Sequence, residues 1–375
     1  MSRTILSACL FAIALRLGLV AAPCEAGDLE AGGAQPDSLA KLRGSLVVLP
    51  YAYYTPETKI AFGAGGVYSF RTAGAGPGDR PSSMKAAATY TQRKQMILAL
   101  MPEIYLRKER YYYTGFYGYY KFPDKFWGIG GDAPDGAEEN YRRNDFESNT
   151  SLQMRIARGV YAGALYQFQY MDPSDTAPRG ALRAGAIPGS RTGTASGLGV
   201  VARYDTRDHV YQPSSGSNHQ CSAVWFGSGL GSDYTFGALS LDLRAYRGLF
   251  GSHVIALQTY NVFISGEAPF QMLGLLGGSY WMRGYYRGRY RDRNMITAQV
   301  EYRFPVWWRF GAAAFAGAGD VQRDAGKFRV DRFKYSVGCG ARFMFDTRER
   351  IVARLDVGFG DGDNAGVYAM VLEAF

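Results

Sequence analysis

Residues 295–304 read Met-Ile-Thr-Ala-Gln-Val-Glu-Tyr-Arg-Phe, and their side chains alternate between apolar and polar. The apolar set is Ile296, Ala298, Val300, Tyr302 and Phe304, and the polar set is Thr297, Gln299, Glu301 and Arg303. Because successive side chains of a β-strand point to opposite faces, this pattern predicts a strand with one apolar and one polar face. Residues 239–244, 334–345 and 350–359 alternate in the same way.

The two faces of these segments differ in kind. One carries bulky apolar groups without interruption, and the other carries charges and glycines. A wide transmembrane barrel with lipid outside and a polar lumen accounts for both faces. A soluble β-sandwich also produces alternation, so the pattern alone leaves that alternative open.

Turn residues divide the chain into about sixteen such segments, and a single-chain bacterial barrel has an even number of strands of this length. The predicted strands are 44–54, 58–70, 83–93, 95–107, 109–121, 143–156, 159–171, 194–205, 217–228, 233–247, 250–264, 294–304, 309–319, 334–345, 349–360 and 366–375. We therefore predict an all-β fold, a transmembrane antiparallel β-barrel.

The predicted connections fall into two classes. Short ones lie at 94–95, 107–109 and 247–250, and long ones at 122–142, 172–193 and 265–293. Short turns are typical of the periplasmic side of such barrels and long loops of the extracellular side.

Composition agrees with a barrel. The 375 residues include 28 Tyr, 22 Phe and 48 Gly, which suits short strands flanked by aromatic girdles. The net charge of +9 would suit nucleic acid, but in a secreted barrel we expect it to attract anionic head groups. The expected contacts are outer-membrane lipids, including lipopolysaccharide, and no nucleic acid.

The first residues predict secretion. Arg3 precedes an apolar run over 5–22, and Cys24-Glu25-Ala26 offers small residues for cleavage near Ala26. We therefore assign 1–26 as a signal peptide, 27–41 as a flexible lead-in and 42–375 as the barrel. A membrane anchor is disfavoured because Arg16 interrupts the run, and a lipidated Cys24 is disfavoured by Pro23.

A glycine pair and an arginine mark the predicted loop before the twelfth strand. Residues 277–285 read Gly-Gly-Ser-Tyr-Trp-Met-Arg-Gly-Tyr. This order resembles the GG-x4-RG-[FY] motif of the BamA/TamA-like barrel-assembly and translocation family, also called bacterial surface antigens. The resemblance implies that the loop folds into the lumen and that Arg283, followed by Gly284 and Tyr285, locks onto the inner wall. A buried guanidinium favours a carboxylate and an aromatic face.

Further motifs follow in the family's order. Tyr204-Asp205-Thr206-Arg207-Asp208-His209, with Pro213 and Gly216, resembles the strand-turn motif YDTRDN…P…G. Glu301 resembles the family's strand-12 residue, which implies that its carboxylate meets the loop arginine, and Phe315 resembles the first residue of the strand-13 motif F-x-D-x-G. Gly317 stands where that motif has aspartate, so we expect Arg283 to lose a second acid. Asp320 is not expected to replace it.

The terminal Phe375 follows a predicted strand over 367–374. An aromatic residue at the end of the last strand resembles the signal by which barrel-assembly machinery recognises its clients, so that machinery is an expected partner. A chance phenylalanine is the alternative.

The resemblance implies a role in inserting or translocating proteins or lipids in the bacterial outer membrane. Members with assembly activity carry periplasmic POTRA domains, and no such module fits before residue 42. We therefore expect a barrel-only member that works with a separate periplasmic partner. The alternative is a passive pore or structural surface antigen.

Enzymatic chemistry is not predicted. The histidines are His209, His219 and His253, with no metal-binding spacing, and no phosphate loop or cofactor motif is present. His219 lies near Ser217 and Ser222 in sequence, and a solvated imidazole is the simpler interpretation. Cys221 and Cys339 are too few for a disulfide framework.

Overall fold

The computed structural model describes residues 45–72, 81–347 and 350–375. The predicted signal peptide (1–26) and lead-in (27–41) lie outside the described residues and stay predictions.

Sixteen strands form the wall. They are β1 Ser45–Thr55, β2 Lys59–Phe70, β3 Ser82–Thr91, β4 Met96–Leu106, β5 Tyr111–Phe126, β6 Glu139–Ala157, β7 Val160–Met171, β8 Gly193–Asp205, β9 Gly216–Phe226, β10 Phe236–Gly248, β11 Val254–Gly266, β12 Asn294–Trp307, β13 Phe310–Gln322, β14 Lys334–Asp346, β15 Ile351–Gly360 and β16 Ala365–Val371. A two-residue strand, Pro173–Ser174, extends the edge beside β6.

Each strand pairs antiparallel with its neighbours in chain order, and β16 returns to β1. The predicted sixteen-stranded antiparallel barrel is confirmed. Three bounds differ notably from the prediction. β5 and β6 continue past the predicted ends and remain paired as far as Phe126 opposite Glu139. β16 stops at Val371, because the chain then turns away from the sheet.

The two faces of the wall have the predicted polarity. In β12 the apolar Val300 is 38% exposed, whereas Glu301 beside it is fully buried. A soluble barrel would bury the valine and expose the glutamate. This inversion places apolar side chains toward lipid and polar ones toward the lumen.

Helix is confined to short 3-10 turns in the described residues, such as Asp135–Ala137 and Val330–Arg332. None of these helices has the length and hydropathy needed to cross a membrane.

The connections separate the barrel into two ends. We call the end that carries 127–138, 172–192 and 267–293 the loop end, and the opposite end the turn end. The short turn at 92–95 lies at the loop end, because it is two strands away from 127–138. The prediction from turn length, which put this connection on the same side as the other short turns, is therefore wrong.

Cys221 on β9 and Cys339 on β14 are both free and exposed. Their strands are not neighbours, so they do not form a disulfide.

Candidate functional site: the lumen loop and its arginine

The β11–β12 connection is a folded loop. Gly274–Leu276 pairs with Tyr290–Asp292 as a small hairpin. Gly277 and Gly278 follow with φ of +109° and +93°, in the left-handed region that favours glycine. A Cβ on Gly277 would overlap the carbonyl of Tyr286. The glycine pair therefore sets the turn from which the rest of the loop enters the barrel.

Arg283 lies at the centre of the loop's contacts, and its side chain has no exposed surface. Nη2 lies 2.6 Å from Oε2 of Glu301 on β12, and Nη1 donates to Oδ2 of Asp356 on β15 at 2.6 Å. The guanidinium carbon lies 3.5 Å from the ring centroid of Phe315 on β13. Two carboxylates and one aromatic ring therefore surround the cation.

Asp356 is the acid that the sequence analysis missed. Gly317 does lack a carboxylate, but Arg283 has its second acid from β15 instead of β13. Asp320 contacts Lys334 and Gln322, and so does not replace it. The available signal was the alternation of 350–359, which puts Asp356 on the lumen face with Arg354.

The pair with Arg283 belongs to a larger set of buried charges, which we call the arginine cluster. Its members are Arg283, Arg303, Arg342, Arg354, Glu301, Asp356 and Glu373. Arg303 Nε lies 2.7 Å from Glu301, Arg342 Nε lies 2.8 Å from Glu373, and Arg354 Nη1 lies 2.8 Å from Asp356. Four cations share three carboxylates, so removing one acid leaves several buried guanidinium groups with fewer partners.

Gly284 and Tyr285 fix the loop to the last strands. Gly284 has φ of +114°, and a Cβ there would lie 2.8 Å from the carbonyl carbon of Phe359. Its N–H donates to the Tyr368 hydroxyl at 3.0 Å. The Tyr285 hydroxyl donates to the carbonyl of Tyr335 at 2.9 Å and accepts from the N–H of Asp361 at 2.7 Å. These contacts reach β14, β16 and the β15–β16 turn.

The loop also reaches the other side of the lumen. The N–H of Arg287 donates to Glu57 in the β1–β2 turn at 2.9 Å, and the Tyr286 hydroxyl donates to Asp124 on β5 at 2.9 Å. Burial raises the pKa of Glu57, and the Arg287 N–H opposes that rise. Residues 277–291 therefore connect early and late strands across the barrel.

The strand-turn motif lies at the turn end, away from Arg283. Asp205 accepts from Arg203 at 2.6 Å and from Arg207 at 2.9 and 3.0 Å. Asp208 accepts from the Ser214 and Ser215 N–H groups and from Arg350. Burial acts to raise the pKa of Asp208, but these donors lower it by more, so the pKa is about 2. The motif residues thus organise the β8–β9 turn.

Phe375 does not lie in the last strand. The chain leaves β16 at Val371, and Phe375 is buried near Arg303, whose Nη2 donates to its main-chain oxygen at 2.8 Å. Its role as an assembly signal stays a prediction.

The three histidines have different surroundings, and the His219 ring stacks on Tyr204 with 6.1 Å between the ring centroids. His209 accepts from the N–H of Tyr211, and His253 Nδ1 bonds the Tyr302 hydroxyl at 2.5 Å. Ser217 bonds Thr206. Nowhere in the described ranges do three His, Cys, Asp or Glu side chains gather as metal ligands.

A stability prediction follows from Asp356. Asp356→Asn should lower the free energy of unfolding by about 2–4 kcal/mol, since it weakens the pairing of three buried arginines. Adding Gly317→Asp should recover part of this loss, because the atom nearest to the new Cβ is the rotatable Ser336 hydroxyl oxygen at 3.0 Å. The measurement is the midpoint of heat-induced unfolding on gels. Asp320→Asn is the matched control, which Gly317→Asp should not rescue; equal rescue would contradict the assignment.

Comparison with known proteins identifies one family from the sequence and a similar barrel fold among solved structures. The model of the Omp85 superfamily domain matches residues 67–347. BamA from Haemophilus ducreyi lacking POTRA domains 1–3 has a similar structure, with a TM-score of 0.61, 14% identity, and coverage of 88% of this chain and 70% of that one. CdiB from Acinetobacter baumannii gives a TM-score of 0.55, 13% identity, and coverage of 88% and 59%. No curated protein sequence matches this chain.

Proposed function

Because the chain belongs to the Omp85 superfamily and is a bacterial outer-membrane barrel, we propose that it helps to insert or translocate proteins or lipids at that membrane. The proposed route is a lateral opening between β1 and β16. Among the described residues no POTRA module accompanies the barrel. We also propose that it works with a separate periplasmic partner.

The main support for this proposal is the contact between β1 and β16, which we call the seam. In the described residues these strands share a single paired position, Tyr54 opposite Ala369. On its other side β1 pairs along its full length, from Ser45 opposite Ser69 to Thr55 opposite Lys59. Within the described part of the chain, the turn-end half of β1 thus has one edge without a strand partner.

An unpaired strand edge is a template for another strand, because its N–H and C=O groups remain available. Leu46, Val47, Val48 and Leu49 are also exposed, so this half of β1 offers apolar side chains on both faces. An extended client segment would satisfy the edge and cover the apolar groups. That combination favours strand addition at β1.

The lumen loop supports regulated opening. Arg283, Gly284 and Tyr285 contact β14, β15 and β16, which form the wall on one side of the seam. Arg287 contacts the β1–β2 turn on the other side. The loop therefore bridges the two strands that would have to separate.

The turn end offers a surface for anionic partners. Exposed cations cluster here, with Arg107, Lys108 and Arg110 on the β4–β5 turn and Arg158 on the β6–β7 turn. Arg155, near the end of β6, lies beside them and 3.5 Å from Glu109. The N–H of Arg155 donates to the carbonyl of Arg110 at 2.9 Å, so the two turns adjoin. We propose that this surface meets anionic head groups or an acidic periplasmic partner. Lipopolysaccharide and the barrel-assembly machinery complete the proposed partners.

Liposome reconstitution tests the function. The purified barrel in liposomes should speed the folding of a urea-denatured small outer-membrane barrel by about tenfold, which is about 1.4 kcal/mol off the barrier. Folding is followed by the client's gel mobility, with protein-free liposomes as control. An unchanged folding rate would overturn the insertase proposal.

Planar bilayers test the alternative, a passive pore or structural surface antigen. With the loop in the lumen, the intact barrel should conduct poorly, and deletion of residues 277–293 should raise the conductance. A steady open pore that the deletion leaves unchanged would favour the passive pore.

A further inference from the structure

Residues 372–375, which we call the tail, leave the wall abruptly. Leu372 has φ of +71°, a conformation that is unfavourable for a residue with a side chain. Its N–H donates to the carbonyl of Val352 at 2.7 Å. Such a turn persists only when contacts beyond it hold the chain.

The tail is held by charge and by apolar contact. The Glu373 carboxylate accepts from Arg342 Nε at 2.8 Å, and its side chain is 2% exposed. The Phe375 ring lies 5.6 Å from the Arg303 guanidinium, which also donates to the main-chain oxygen of Phe375. Ala374 and Phe375 pack with Tyr246 and Ala256. The surrounding wall therefore contacts both an acid and an aromatic residue that lie two positions apart in the tail.

The walls of this pocket belong to β10, β11, β12 and β14, which pair fully with their neighbours. The pocket is thus part of the barrel wall rather than a product of the tail. Arg303 Nη1 and Glu373 Oε1 have no hydrogen-bond partner among the described residues although both are buried. In the part of the chain that the structure describes, the tail therefore leaves Arg303 Nη1 of the pocket without a partner, and the pocket leaves Oε1 of the tail's Glu373 without one.

We propose that this pocket is a peptide-binding site for an extended segment with a carboxylate two residues before an aromatic side chain. The chain fills the site with its own Glu373 and Phe375. The inference rests on the proposed function, since a segment of an incoming client is the natural competitor. The tail would otherwise extend β16 along the free edge of β1, so occupancy of the pocket and closure of the seam are linked.

A binding experiment with a labelled, C-terminally amidated peptide of residues 371–375, Val-Leu-Glu-Ala-Phe, tests the site. The probe is added to the full chain in detergent micelles and its fluorescence anisotropy is recorded. The Glu373→Gln/Phe375→Ala variant should bind the probe at least about tenfold more tightly than the wild type, because a tethered tail competes at high effective concentration. Arg329→Gln, an exposed loop arginine, is the matched control and should match the wild type.

The recognition rule is tested on the peptide itself, so that it does not depend on a further protein variant folding. Val-Leu-Gln-Ala-Ala should bind the tail-released barrel at least about tenfold more weakly than the original probe. Equal binding of the two peptides, or equal binding of the probe by wild type and tail-released barrels, would overturn the proposal. Client insertion without peptide binding would refute only the pocket, and peptide binding without client insertion would refute only the proposed function.

Discussion

Arg283→Ala is expected to lower the free energy of unfolding of the barrel by about 3–5 kcal/mol, the usual cost of breaking a buried ion pair from one side. Glu301 and Asp356 are both fully buried and would lose their shared cation. Arg303, Arg342 and Arg354 still neutralise the two acids, which favours the lower part of that range. The readout is the midpoint of heat-induced unfolding on gels.

Protease sensitivity gives a second measure of the same change. The loop over 277–291 is held by Arg283, Gly284 and Tyr285, so its cleavage should become faster when the arginine is lost. Arg283→Lys should be intermediate, because a lysine keeps the charge but not the planar contact with Phe315. Arg329→Ala removes an exposed ion pair with Asp331 and should change stability by less than about 1 kcal/mol. If the loop of Arg283→Ala were as resistant to protease as the wild-type loop, Arg283 would not be the residue that holds it to the wall.

The fold was predictable because a membrane barrel has apolar side chains outside and polar ones inside, the reverse of a soluble protein. In 295–304 the apolar residues form one uninterrupted face and the polar residues form the other, and a barrel with lipid outside and polar groups inside satisfies both. The same alternation identified the lumen-facing residues of β12 and β15. The ends of strands were less predictable, since paired strands such as β5 and β6 extend wherever pairing and solvation allow.

The partners of Arg283 were only partly predictable. Glu301 and Phe315 follow from the family resemblance, but Asp356 is 73 residues away from Arg283 in the chain. Alternation assigns a residue to the lumen face without saying which other lumen residues it meets across the barrel. The arginine cluster therefore became visible only once the wall was closed.

The inward turn of the tail was not predictable either. Val367–Ala374 reads as a continuing strand, yet Leu372 adopts a left-handed conformation and Glu373 enters the lumen. The deciding contacts are tertiary, to Val352 and Arg342, and local propensity does not contain them. Nothing in the sequences of β1 and β16 predicted that these two strands would pair so weakly.

Covalent closure of the seam should have the largest functional effect. Tyr54→Cys and Ala369→Cys place two thiols at the one position where the described residues of β1 and β16 are paired. Cys221→Ser and Cys339→Ala remove the two exposed thiols of the described barrel, so that the engineered pair is the only one oxidised within it. A disulfide there prevents the strands from separating and leaves the lumen loop in place.

The matched control is a pair of thiols across a seam that is not expected to open. Tyr53→Cys and Ala61→Cys occupy one paired position of β1 and β2, where pairing is continuous. This disulfide should leave insertion unchanged, which separates an effect of seam closure from an effect of oxidation.

The most direct test of the account is the rate of client folding into liposomes that contain the Tyr54→Cys/Ala369→Cys barrel. Oxidation should reduce that rate to the rate of protein-free liposomes, and reductant should restore it. Equal rates in the oxidised and reduced states, with the disulfide verified, would contradict lateral opening between β1 and β16.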